Sequence, residues 1–304
     1  MMMVLDNRPG KRLTPPSGPR SSKRALAITA SAVLAVALIV GGGIVAKQHL
    51  THATPPPRAV VMLQAAPAKP FSPPRSWTLK FDPTFSGDQL DTQVWATCYP
   101  WWGAGSGCTN FGNPSDPELE WYEAPQDEVS GGSLHLVAQR EPTPGISKKN
   151  TPEEYACRSG MVTTYPSFRF EYGYVQITAK VPFDKGLWPA FWLAAANEKS
   201  PPEIDILEHW ASQPNGKVYL HPLSGARQGG VVSMPNLSAG WHTFGLYWTK
   251  TKLVWTYDGQ QVFTTSTGIP QQDMYLIANL ADDNADPGGC SGSLDIKSVK
   301  VWQP

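Results

Sequence analysis

Glu203-Ile204-Asp205-Ile206-Leu207-Glu208 sets three carboxylates among large aliphatic side chains, between Pro201-Pro202 and His209-Trp210. Acids alternating with aliphatics predict a half-buried strand, one face in a core and the other lining a surface. On a period of two, Glu203 and Asp205 share a face whose next member is Leu207, so Glu208 arrives one residue late. A β-bulge inserts one such extra residue. Placed near Ile206 or Leu207, it turns all three acids the same way. Carboxylates crowded together cannot all ionise freely, so one is driven to hold its proton while another serves as base or nucleophile. Cleavage of a glycosidic bond uses that division of labour. The reach is demanding: five residues of strand span roughly 16 Å, whereas retaining glycosidases hold their carboxyls roughly 5 Å apart. The spacing alone also suits a solvated acidic strand edge or a calcium-binding patch.

Around this stretch lies a chain of 304 residues with zero formal net charge, 16% charged residues and 41% hydrophobic ones. There is no basic excess to bind nucleic acid. Twelve Trp, ten Tyr and ten Phe supply core volume and flat faces on which sugar rings stack. Residues 1–24 carry Arg8, Lys11, Arg12, Arg20, Lys23 and Arg24 against Asp6, reading as a cytoplasmic basic tail. Residues 25–46 are uncharged, long enough to cross a hydrocarbon core of about 30 Å, and predict a transmembrane signal-anchor. A cut after Ala46 or Ala53 would instead release the protein. Residues 47–76 read as a Pro-rich linker, with Pro55-Pro56-Pro57 and Pro73-Pro74, leaving 77–304 as one folded domain outside the cell. The four cysteines, Cys98, Cys108, Cys157 and Cys290, imply two disulfides in an exported domain, with Cys98–Cys108 and Cys157–Cys290 the expected pairing of the three possible.

Strands are predicted over 133–138, 174–181, 187–193, 217–221, 241–249, 253–257, 260–263, 274–280 and 294–302, with Asp258-Gly259 a two-residue hairpin turn. A parity change at Ser298 predicts a second bulge. No long amphipathic helix follows residue 46, so the fold class is all-β, antiparallel sheets packed as a sandwich or jelly roll.

Seven segments in order carry a resemblance to a known family. Phe170-Glu171-Tyr172-Gly173-Tyr174-Val175 and Ala179-Lys180-Val181-Pro182 come first. Gly186-Leu187-Trp188-Pro189-Ala190-Phe191-Trp192 and Glu203-Ile204-Asp205-Ile206-Leu207-Glu208 are the most specific. Gly240-Trp241-His242-Thr243-Phe244, Met274-Tyr275-Leu276-Ile277-Ala278-Asn279-Leu280 and Val299-Lys300-Val301-Trp302 follow. Together they resemble glycoside hydrolase family 16, in its bulged, laminarinase-like branch. The resemblance implies a concanavalin A-like jelly roll of two bent antiparallel sheets and retaining, endo-acting hydrolysis of a β-linked polysaccharide, β-1,3- or mixed-linkage β-1,3-1,4-glucan first. Another exopolysaccharide or a galactan, transglycosylation, and binding without catalysis remain alternatives. It implies Glu203 as nucleophile, Glu208 as acid then base, and Asp205 as their helper. Sugar contacts fall to Trp188, Trp192, Trp210, His221, Asn110 and Asn113. No cofactor is implied for catalysis; a structural calcium is, on Asp295 with backbone oxygens near Lys80. The expected partners are the polysaccharide and, through the anchor, the membrane, with the protein otherwise a monomer. The aromatic loop 98–108 and His209-Trp210 depart from a plain laminarinase and leave the polymer open.

Overall fold

The computed structural model describes residues 70–100, 118–146, 151–210, 213–283 and 289–304. The basic tail, the 25–46 span, Cys108, Asn110 and Asn113 lie outside them. Among the described residues no helix is long and apolar enough to cross a membrane; two single-turn 3-10 helices interrupt an otherwise all-β chain.

In chain order the strands are β1 (Thr78–Phe81), β2 (Glu120–Tyr122), β3 (Asp127–Ser130), β4 (Ser133–Gln139), β5 (Thr143–Ile146), β6 (Pro152–Tyr155), β7 (Cys157–Ser159), β8 (Met161–Thr163) and β9 (Gly173–Lys180). They continue with β10 (Leu187–Ala195), β11 (Glu203–Glu208), β12 (Gly216–His221), β13 (Gln228–Val232), β14 (His242–Trp248), β15 (Leu253–Tyr257), β16 (Gln260–Thr265), β17 (Met274–Asp282) and β18 (Ser291–Gln303). One sheet runs β16-β15-β14-β9-β18-β4-β7-β2, with β1 joined to β18 and β3 to β4. The other runs β13-β12-β11-β10-β17-β8, and β5-β6 form a separate ribbon. The result is an all-β sandwich. Among the described residues strand pairing is antiparallel except between β2 and β7, which lie parallel, a departure from the wholly antiparallel expectation.

Inward residues of both sheets meet in one core. Leu134, Val175, Ile177, Phe244, Trp255 and Val299 of the first sheet pack with Phe191, Leu193, Ile204, Ile206, Leu220 and Leu276 of the second. Asp258 and Gly259 both have positive φ, 47° and 74°, as a type I′ hairpin turn requires. The register of β18 against β9 slips between Ile296 and Ser298, where the parity change predicts a bulge. Cys157 is bonded to Cys290 as expected, and Cys98 is also disulfide-bonded.

The linker boundary needs correction. Phe71 donates its backbone N–H to the Gly259 carbonyl at 2.5 Å, and its ring lies 5.3 Å from Tyr247. Trp77 stacks on the same Tyr247 ring at 5.1 Å. The chain is therefore docked from Phe71, because one aromatic ring in a Pro-rich stretch finds an apolar seat.

Candidate active site

The bulge in β11 builds the site. Against β10, Leu207 pairs with Phe191 and Asp205 with Trp192, so Ile206 is the extra residue. Consequently Ile206 and Leu207, consecutive in sequence, are both buried in the core. Glu203, Asp205 and Glu208 line one cavity on the opposite face, shared with Tyr99, Glu118, Trp188, Trp192 and Asn279. Ala194 pairs with Glu203 and Ala190 with Glu208, so the smallest side chains lie beside the two glutamates. Those alanines are four residues apart, roughly 13 Å, shorter than the unbulged span. From the opposite sheet, the buried Trp255 indole donates to the Asp205 carbonyl at 2.8 Å. An indole below the sheet reaches that oxygen because the bulge turns it toward the core.

Loss of hydration, with the charges of Asp205 and Glu203 added, pushes the Glu208 carboxyl well above the usual carboxylate range. Lys217, paired with Glu208 across β12, pulls in the other direction. The cluster thus favours one protonated acid beside two other carboxyls. His221 stands opposite Glu203 in the register, its Nε2 3.6 Å from Glu203 Oε1 and 3.2 Å from Asp205 Oδ2. It therefore contacts the Glu203–Asp205 side of the cluster.

Trp188 and Trp192 both face the cavity, as their shared parity predicts. Trp192 donates its indole N–H to Asn279 Oδ1 at 2.9 Å, and Asn279 donates to the Tyr122 hydroxyl at 3.0 Å. That relay fixes the indole edge. Trp210 is placed differently from the expectation that it stacks on sugar. Trp188 stacks on it at 4.8 Å, and Lys217 Nζ sits over its ring at 3.5 Å. With its indole N–H donated to Asp283 Oδ2 at 2.9 Å, Trp210 supports Trp188 from behind. Its neighbour His209 is wholly buried against Phe183, and desolvation lowers its pKa.

The expected calcium set does not assemble. Asp295 pairs with Lys180 and His135, whereas β1 meets β18 only at Val301 to Gln303. That places Lys80 roughly 20 Å from Asp295, too far for two ligands of one ion held at 2.3–2.6 Å. Asp295 instead accepts from His135 Nδ1 at 2.8 Å and Ser293 Oγ at 2.5 Å.

Tyr99, Glu118 and Asn279 line the cavity without having been singled out from the sequence. Asn279 had a readable signal, a lone amide in an apolar run. Tyr99 belongs to the aromatic loop 98–108 that the sequence sets apart, whereas Glu118, from outside the six-stranded sheet, had no such signal.

Comparison with known proteins gives the family and the shared fold. The model of the family described as glycosyl hydrolases family 16 matches residues 118–296. The chain is 32% identical over 220 residues to the endo-1,3-1,4-beta-glycanase EglC of Rhizobium meliloti, covering 67% of this chain and 46% of that protein. It is 29% identical to a beta-glucanase of Rhodothermus marinus, covering 66% and 79%. The chain spans about half the length of the Rhizobium meliloti relatives it matches. The catalytic domain of an endo-1,3-beta-glucanase (laminarinase) from Thermotoga petrophila superposes with a TM-score of 0.63 at 23% identity, covering 75% of this chain and 98% of that one, which shows a shared fold. With a family match running across more than half of the sequence and through the whole acidic strand, the chain belongs to the glycosyl hydrolases family 16.

Proposed function

We propose that this chain is a retaining, endo-acting glycoside hydrolase of a β-linked glucan, with β-1,3- or mixed-linkage β-1,3-1,4-glucan as substrate. The observation that carries this is the bulge at Ile206, which gathers Glu203, Asp205 and Glu208 on one cavity. Glu208, its proton retained by burial and neighbouring charge, protonates the departing glycosidic oxygen. Glu203 attacks the anomeric carbon and forms a glycosyl-enzyme ester. Glu208, now ionised, takes a proton from water as that water displaces Glu203. Asp205, beside both, adds the negative charge that holds the Glu208 proton. Trp188 and Trp192 supply flat faces for a neutral sugar chain. The name of the Rhodothermus marinus relative, a beta-glucanase, supports glucan as the polymer, and that of the Rhizobium meliloti relative, an endo-1,3-1,4-beta-glycanase, supports the linkages.

The same reading keeps the domain outside the cell, held by the 25–46 segment as a single-pass anchor and spaced from the membrane by the Pro-rich stretch; the charge pattern of the sequence supports it. The test is release of reducing ends from laminarin, lichenan and agar by the wild type and by Glu203→Gln. Turnover of a glucan that vanishes in the variant while binding persists is expected. Binding without shortening by the wild type would refute hydrolysis.

A further inference from the structure

Glu203 Oε1, Asp205 Oδ2 and His221 Nε2 form a three-donor cluster whose ligand atoms lie within 4.8 Å of one another. Two edges are 3.6 Å and 3.2 Å, from the imidazole to each carboxylate. A tetrahedral zinc ion bound at 2.0–2.2 Å holds its ligands about 3.4 Å apart. The two edges at His221 thus bracket the spacing of a zinc tetrahedron, and the third, between the carboxylates, is within 4.8 Å. One imidazole and two carboxylates are a donor set that zinc accepts, with the fourth position left to water. The three residues also stand on paired strands: His221 is opposite Glu203 in the β11–β12 register, and the bulge that orients Asp205 is tied by Trp255. Ligands on adjacent strands need little rearrangement to close on an ion.

The other cluster of this kind among the described residues, Cys157, Asp282 and Cys290, has its two sulfurs tied up in a disulfide. The other two His–Asp pairs, His135–Asp295 and His242–Asp258, each bring a single carboxylate.

We propose that Glu203, Asp205 and His221 bind a zinc-like divalent transition metal, and that the ion blocks the enzyme reversibly by occupying the carboxylate that attacks the sugar. The metal site stands on the geometry of the three ligands; the inhibition rests on the hydrolase reading above. A metal-bound Glu203 has its nucleophilic oxygen engaged, and the ion lies where the anomeric carbon must approach. Metal and substrate are then mutually exclusive, and the effect falls as glucan concentration rises.

The experiment is calorimetric titration of the full-length chain with zinc chloride in a non-coordinating buffer, run beside laminarin hydrolysis. Saturable binding at this site is expected. His221→Asn and Asp205→Asn each weaken it by at least about tenfold, since even indirect ligand losses reach that range. His135→Asn, away from the groove, leaves it unchanged. Zinc slows release of reducing ends over the same concentration range that fills the site, and a chelator restores the rate. Absence of saturable binding, or equal binding by the wild type and His221→Asn, overturns the proposal. His221-dependent binding in a protein that cleaves no glucan keeps the metal site and removes the hydrolase reading.

Discussion

Trp255 and Asp205 are joined across the sandwich: an indole N–H buried in one sheet donates at 2.8 Å to a backbone oxygen in the other. The oxygen belongs to the residue just before the bulge at Ile206. The two sheets are thus pinned by a hydrogen bond at the point where the acidic strand departs from regular pairing.

Trp255→Phe is therefore expected to do two separable things. Loss of the hydrogen bond costs about 1 kcal/mol, with a further loss from the missing ring packing, read by urea denaturation. Loosening the bulge disperses Glu203 and Glu208, so kcat falls on the order of tenfold while KM changes little. A variant that loses stability but keeps kcat would make Trp255 a core residue only.

Glu208→Ala removes the proton donor. A loss of about 10²–10⁴-fold is expected on polymeric glucan. It should be much smaller on an aryl glycoside whose leaving group needs no proton, because only protonation of the departing oxygen has been removed. Rates on the two substrates falling equally would assign Glu208 another role.

Lys217→Met tests the electrostatics of the same acid. The ammonium of Lys217 stabilises the ionised form of Glu208 and partly offsets the upward push of burial, Asp205 and Glu203. Without it the carboxyl holds its proton to higher pH, so the alkaline limb of the pH–rate profile moves up. A downward movement contradicts the assignment. Trp210, which loses the cation over its ring, is monitored by its fluorescence.

Much of this was legible from residues alone. The late arrival of Glu208 locates the bulge because period two is rigid in a strand, and the change of parity in β18 works the same way. Strands of five or more residues with clear alternation were readable. The short ones were not: Cys157–Ser159 and Met161–Thr163 hold too few residues to show a period, and Pro152–Tyr155 is polar at a ribbon edge. Gln228–Val232 was hidden by its two glycines. Trp210 was misplaced for a different reason. Sequence shows a tryptophan next to the acid, but only tertiary packing shows that Trp188 and Lys217 cover it. The Asp295–Lys80 pairing failed similarly, since sequence order does not give the register of β1 on β18.

A last expectation concerns stability away from the groove. Glu120 is buried beside Asp282, whose backbone N–H donates to Glu120 Oε2 at 2.7 Å. Burial drives the Glu120 carboxyl up to about 7 and that of Asp282 to about 6. In the unfolded chain both titrate near 4, so between that pH and about 7 the native state holds more protons than the unfolded one. The stability they contribute is complete below the unfolded values and is lost as pH rises through the native ones. For Glu120 the loss is on the order of 3 kcal/mol at pH well above 7. Glu120→Gln keeps an oxygen to accept from Asp282 and removes the titration. Its melting temperature should decline less than that of the wild type between pH 5 and pH 8, a window set by the raised pKa values. Parallel declines in the two proteins would show that Glu120 is ionised in the fold and that its burial is offset by other means.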